Sequence, residues 1–272
     1  MLIEFTGMVG SGKSTVAAEL KRLLQADGFT ALSPAEALER CLGRSWLGRA
    51  IVRWAPAIWR ERLQGDVLRM VASWHRLAFA ISRPQLVWHV LQSQLYRKIP
   101  WWHRRIIIDR FFEVAGQYRY FCDHLQDGEV IVLEEGFVHR ATNLYAWESQ
   151  AVDPELVRRY LSLLPQLDLV VFVRAPLDIC LERADVRGLP QRLRDKERVA
   201  VDRFMINANT ISCVIFEFLT KHRRELIEVD NSGDRQECLT NFRHRLEDKR
   251  IIGTWVDSAW KVPSAQRPEI GN

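Results

Sequence analysis

An apolar run, Leu2-Ile3-Glu4-Phe5-Thr6, leads into Gly7-Met8-Val9-Gly10-Ser11-Gly12-Lys13-Ser14-Thr15 and then into a helix-forming stretch that closes at Asp27-Gly28. Strand, glycine-rich turn and helix follow in the order that G-x-x-x-x-G-K-[ST] requires. The glycines let backbone N–H groups turn inward, and the helix that starts at Lys13 aims its partial positive charge at the same point. The loop is therefore expected to cradle phosphate oxygens through Gly7, Val9, Gly10, Ser11, Gly12, Lys13, Ser14 and Thr15. Lys13 is placed to reach the β- and γ-phosphates of a nucleoside triphosphate such as ATP, and the Ser14 hydroxyl to hold Mg²⁺. Gly28 stands where a helix C-cap is expected.

Four more strand candidates follow. Phe29-Thr30-Ala31-Leu32 is short and ends at Ser33-Pro34, with Ser33 placed to cap a helix over Ala35 to Arg40. Val130-Ile131-Val132-Leu133 and Leu169-Val170-Val171-Phe172-Val173 are continuous apolar runs, the mark of strands buried on both faces. Leu226-Ile227-Glu228-Val229-Asp230 comes after a helix spanning roughly Arg198 to His222. Strands alternating with helices predict an α/β fold, a three-layer P-loop NTPase with a five-stranded parallel sheet.

Between about 44 and 126 the pattern is helical almost throughout, broken at Pro56, Pro84 and Pro100. Leu47, Ile51, Trp54 and Ile58 recur at spacings of three and four, as do Ile107, Phe111, Val114, Tyr118, Phe121 and Leu125. The expected organisation is a core over 1–43 and 127–250, an all-helical insertion over 44–126 serving a substrate or partner, and a polar tail over 251–272. At 272 residues the chain buries enough surface to fold without disulfides or structural metal. Its five cysteines are scattered, and none forms a C-x-x-C pair. That usage points to a reducing, cytoplasmic setting. No leader is visible, and no run of about 18 uncharged apolar residues suits a membrane crossing.

Glu134 and Glu135 follow the third strand, which in such a sheet faces the ligand crevice beside the glycine-rich loop. One carboxylate, Glu134 or Glu135, is expected to order Mg²⁺ or its waters, and the other to accept a proton from an attacking hydroxyl. The sequence alone does not separate the two roles. Arginines gather after the fourth strand at Arg174, Arg183, Arg187, Arg192 and Arg194. Arg183 and Arg187, four apart, project from one face of a helix, the pattern of a lid that stabilises charge on a transferring phosphoryl group. A solvated basic helix end is the plainer reading of the same residues. The seven histidines lack ligand spacing, and His139, the nearest to the loop, reads as a core or surface residue.

Together these residues resemble the P-loop nucleoside and nucleotide kinases, thymidylate kinase among them. The likeness covers residues 1 to 30, the Glu134-Glu135-Gly136 strand end, the Val173-Arg174-Ala175-Pro176 turn with its arginine helix, and the last strand. It implies nucleotide and Mg²⁺ binding at Gly12, Lys13 and Ser14, with Arg183 and Arg187 in a lid. Thymidylate kinases carry Asp-Arg-Tyr at the third strand's end, and deoxynucleoside kinases Glu-Arg-Ser. Here that place holds Glu134-Glu135-Gly136, while the Asp-Arg-aromatic triplet Asp109-Arg110-Phe111 falls in a helical stretch. No N/T-K-x-D motif for guanine is present.

Between Arg44 and Arg105 stand twelve Arg or Lys against two acids, with seven of the ten tryptophans. Three readings fit this segment: a helical subdomain with tryptophans inside, a cap over an anionic acceptor, or basic amphipathic helices lying on a membrane surface. Stacking and phosphate pairing also suit nucleic acid, but no recognised binding motif supports it. The leading functional reading is an ATP- and Mg²⁺-dependent small-molecule kinase with an anionic or nucleoside-like acceptor. The alternative is a nucleotide-binding regulatory protein that hydrolyses ATP slowly or not at all.

Overall fold

Six consecutive buried residues form β1 (Leu2–Gly7), and their alternation already divides the molecule into layers. Ile3 and Phe5 point to one face and Leu2, Glu4 and Thr6 to the other. The computed structural model describes residues 1–44, 73–95, 99–188, 193–194, 196–222 and 225–249. The periodic residues Leu47, Ile51, Trp54 and Ile58, the break at Pro56, Arg192 and the tail over 251–272 lie outside these described residues.

β1 is the middle strand of a five-stranded parallel sheet whose other members are β2 (Thr30–Leu32), β3 (Glu129–Leu133), β4 (Leu169–Arg174) and β5 (Leu226–Asp230), in the order β2-β3-β1-β4-β5. Leu2 stands opposite Ile131 on one side, and Gly7 opposite Val173 on the other. This register carries the strand ends at Gly7, Leu133 and Arg174 to one edge. The α/β architecture and parallel sheet expected from the sequence are present, with strand limits within a residue of the apolar runs.

On the face of Ile3 and Phe5 lie α1 (Lys13–Ala26) and α10 (Arg235–Asp248), the last described helix. Leu20, Leu24 and Phe242 there pack with Val171 and Ile227. Gly28, at a φ of 87°, ends α1 with two bonds, Gly28 N–H to Gln25 O and Phe29 N–H to Leu24 O, the paired closure a left-handed C′ residue permits. The capping role of Ser33 holds. Its Oγ accepts the Glu36 N–H at 3.4 Å and its own N–H reaches the Glu36 carboxylate at 2.7 Å, starting α2 (Pro34–Arg44). α2 runs four residues beyond the expected Arg40, because Arg40 and Arg44 both pair with buried Glu129 at the start of β3.

The other face is thicker. After α3, over 73–82, come α4 (Pro84–Leu95), α5 (Trp101–His124), α6 (Phe137–Tyr145), α7 (Pro154–Leu163), α8 (Leu177–Arg187) and α9 (Arg198–Lys221). Pro84 opens α4 and Pro100 precedes α5, so both prolines divide helices as their missing N–H demands. Asp109-Arg110-Phe111 lies within α5, as expected. Phe79 of α3 stacks on Phe137 of α6 at 5.4 Å, and Phe111 and Tyr118 of α5 meet Phe137 edge-on or tilted. α3 and α5 thus share one continuous core with α6 and the sheet residues Val170 and Phe172.

α6 and α7 have no counterpart in the sequence reading, which assigned nothing between 137 and 163. α6 is only nine residues long; its Phe137, Val138, Ala141, Leu144 and Tyr145 do recur at helical spacing, a short stripe the sequence reading passed over, and burial extends to His139, Arg140 and Thr142. α7 does carry a start signal, Asp153-Pro154, with the Asp153 carboxylate accepting the Glu155 and Leu156 N–H groups. Among the described residues α9 is the one helix long and apolar enough to cross a membrane. Its Phe204, Met205, Ile211 and Ile215 are nevertheless spent on the core.

Phe137 joins three layers, so Phe137→Ala is expected to destabilise the fold by about 3–5 kcal/mol in denaturant unfolding. Ile206→Ala, on the half-exposed side of α9, is expected to cost less than about 1 kcal/mol.

Candidate functional site

The glycine-rich loop joins the central strand to the start of α1, and three parts of the chain hold its shape. Asn231, buried just past β5, donates from Nδ2 to Ser11 O at 2.8 Å and from its backbone N–H to Arg174 O at 2.8 Å. Its own carbonyl accepts Arg183 Nη1 at 3.0 Å. The approach explains Gly12: a Cβ there would stand 2.1 Å from Asn231 Nδ2, and a φ of 90° would strain any other residue. The sequence reading missed Asn231. Its only signal is position, at the carboxyl end of a strand neighbouring the loop strand's partner, where ligand-facing residues gather.

Lys13 turns back over the loop and donates to Gly7 O at 3.0 Å and Met8 O at 2.7 Å. Burial pushes its pKa down to about 8, while Glu135 and then Cys180 pull it up, Arg187 opposes them, and Glu134 adds a smaller upward pull. One ammonium therefore feels the acids at the end of β3 and the far arginine of α8. Ser11 is buried and Val9 partly so, while Ser14 and Thr15 open the first turn of α1 with the Ser14 side exposed.

Glu134 and Glu135 are both exposed at the tip of β3, beside the loop strand. Glu135 is anchored by Arg140, Oε2 to Nη2 at 3.3 Å, and Arg140 is nearly buried. Beneath the turn lies Glu4, a carboxylate with no exposure in the middle of the central strand. Its Oε1 accepts the His139 N–H at 2.9 Å, and N–H groups of Val138 and Phe137 also face it, so the carboxyl sits at the N-terminus of α6. A Cβ on Gly136 would lie 2.3 Å from the Glu4 carboxyl carbon, which is why the chain needs glycine after Glu135. Burial pushes the Glu4 pKa up to about 8, against the pull of these N–H donors and of Arg140. His139, expected in the core or on the surface, is buried and serves through its backbone.

The arginines divide. Arg174 is exposed and pairs with Glu228 at 3.6 Å along the sheet edge. Arg183 and Arg187 share a face of α8, but Arg183 is tied to Asn231, while Arg187 is the one whose charge reaches Lys13. Arg194 is exposed in a short turn before α9. What the arrangement offers chemically is an anion cradle flanked by acids: backbone N–H groups, a helix start, an ammonium and a guanidinium around one point. The hard oxygen donors Ser14 Oγ and the exposed Glu134 carboxylate suit Mg²⁺, which takes one or two protein oxygens and fills the rest with phosphate and water.

No protein-family model matches the chain, and no curated protein matches it in sequence. Among solved structures it is similar to deoxyadenosine kinase from M. mycoides with bound dATP, at 14% identity and a TM-score of 0.49, over 91% of this chain and 99% of that one. The same kinase with bound dCTP gives 14% identity and 0.40 over 91% and 100% of the two chains. With the products dCMP and a flexible dCDP it gives 15% and 0.42 over 92% and 100%.

Glu4 sets a pH dependence of stability. Unfolded, its carboxyl titrates near 4.5, whereas in the fold it holds its proton up to about 8. Between those values the folded chain binds the extra proton, so this contribution to stability falls as pH rises and levels off above about 8. In melts from pH 5 to 8.5, Glu4→Gln is expected to lose that downward slope while keeping the acceptor for His139 N–H.

Proposed function

We propose that this protein is a P-loop kinase that transfers the γ-phosphate of ATP, with Mg²⁺, to a small-molecule acceptor, nucleosides and nucleotides being the first class to test. The observation that carries the reading is the convergence on Lys13: the loop carbonyls, Glu135, Glu134 and Arg187 all act on one buried ammonium at the carboxyl edge of the sheet. A bare phosphate-binding loop needs no acids beside its lysine. Phosphoryl transfer does, because an attacking hydroxyl must lose a proton while charge builds on the phosphoryl oxygens.

In this reading the loop N–H groups from Val9 to Thr15 hold the phosphate chain, and Lys13 leaves the Gly7 and Met8 carbonyls for the β- and γ-oxygens. Arg187 closes over the same oxygens from α8, and Arg183, fixed on Asn231, holds that helix against the loop. Ser14 and Glu134 would hold Mg²⁺, which when bound neutralises charge between the β- and γ-phosphates. Glu135, kept in place by Arg140, is the residue for the acceptor hydroxyl. The acceptor approaches between the sheet edge and the helices of the thicker face.

The test is ATP consumption screened against nucleosides, nucleoside monophosphates, sugars and antibiotics. Lys13→Ala is expected to lower turnover by about 10²–10³-fold with an unchanged melting curve; full activity in that variant would overturn the mechanism. Glu135→Gln is expected to lower kcat, and Glu134→Gln to raise the Mg²⁺ concentration needed for half-maximal rate. Because Lys13 has a pKa of about 8 without ligand and phosphate favours its charged form, ATP binding takes up a proton. Affinity measured by calorimetry is expected to fall by about tenfold per pH unit above pH 8 and to level off below it.

A further inference from the structure

Exposed apolar side chains are not spread over this molecule. Of the eleven large hydrophobic residues at least half exposed among the described residues, eight fall between Trp74 and Ile106. On α3, Trp74, Leu77 and Ile81 form one stripe at spacings of three and four, opposite buried Phe79. On α4, Trp88 and Leu95 are 63% and 60% exposed two turns apart. At the start of α5 come Trp101, Trp102 and Ile106, with Trp101 at 70%. The three helices are neighbours: Phe79 of α3 meets Phe111 of α5, and α4 packs against α5. Their inward faces belong to the common core, so these outward residues are not needed for it.

Charge decides what such a surface suits. From 67 to 108 the sequence contains no Asp or Glu and seven Arg or Lys; of these Arg105 is exposed on α5, while Arg76 on α3, Arg83 between α3 and α4 and Arg104 on α5 are half-buried. The nearest acids in sequence, Asp109 and Glu113, are matched by Arg105 and Arg110. A second copy of the same face would bring together two segments rich in cations, with Asp109 and Glu113 already matched within their own helix. A nucleic acid would answer the cations but has no use for Leu77, Ile81, Leu95 and Ile106, which cannot stack on bases. Tryptophan beside arginine, with aliphatic side chains between, is the composition that settles at the headgroup level of a bilayer.

We infer that the outward faces of α3, α4 and the start of α5 form a docking surface for an anionic lipid bilayer, with tryptophan and aliphatic side chains entering the headgroup region and arginines pairing with lipid phosphate and carboxylate. The surface is independent of the nucleotide chemistry and does not require a helix to cross the membrane.

The experiment is co-sedimentation of the full chain with vesicles of phosphatidylcholine alone and with 30% phosphatidylserine, read alongside tryptophan emission and sedimentation velocity. Binding at least tenfold tighter to the serine-containing vesicles, a blue shift on binding, and release by 0.5 M NaCl are expected. Trp88→Ser/Trp101→Ser/Trp102→Ser is expected to cut vesicle binding at least tenfold, and the exposed Arg105→Glu, separately, to weaken it severalfold, both with unchanged melting. All four residues lie away from the phosphate loop, and ATP binding is expected to be unaffected. No vesicle binding by the native chain would overturn the inference. So would self-association abolished by the same variants, or tighter binding to a single-stranded oligonucleotide than to vesicles.

Discussion

A carboxylate buried under the first turn of a helix sets the geometry of this molecule. Glu4 stands in the central strand, where apolar neighbours surround it on both sides in sequence, and the N–H groups at the start of α6 and Arg140 come to meet it. That meeting brings α6 down onto the sheet and leaves no room for a side chain at residue 136. It also fixes the two things α6 carries. Phe137 becomes the hub on which α3 and α5 pack, and Arg140 reaches back to hold Glu135 at the sheet edge. The helical layer and the acids of the site therefore share one anchor.

The site itself is polarised. Neutral strands and small residues line the loop, and the formal charges around it come from different directions: the acids from β3, the guanidinium from α8, the ammonium from α1. Burial brings the pKa of the ammonium down to about 8, so it keeps its charge at neutral pH and loses it more readily than an exposed lysine as pH rises. Arg183 against Asn231 and Glu135 against Arg140 supply the rigidity that a cradle made of backbone groups lacks.

The sheet was legible because its strands are buried on both faces and read as unbroken apolar runs, and the loop because its glycines and lysine stand at fixed offsets. Pro84, Pro100, Ser33 and Gly28 marked helix limits for the steric and hydrogen-bonding reasons that give these residues their positions. What stayed hidden depends on contacts across the fold. α6 carries its apolar stripe over only nine residues, too short a window to stand out, and its polar His139, Arg140 and Thr142 are buried by contacts across the fold. Glu4 reads as one acid in a strand, and nothing local says that a helix start 133 positions later will cover it. Asn231 is likewise ordinary in its own segment. The cluster of arginines after β4 looked like a single set, and only the arrangement in space separates the one on Glu228, the one on Asn231 and the one facing Lys13.

The bond from Asn231 to Ser11 spans 220 positions of sequence. Gly7 to Thr15 are synthesised well before the residue that pins that loop, which follows β5. Until then β1 also waits for β3 and β4, which flank it and are made much later. During synthesis the chain thus carries the letters of a phosphate cradle long before it has the cradle. The fixed shape of the loop therefore arrives only when β5 docks beside β4 and brings Asn231 to Ser11.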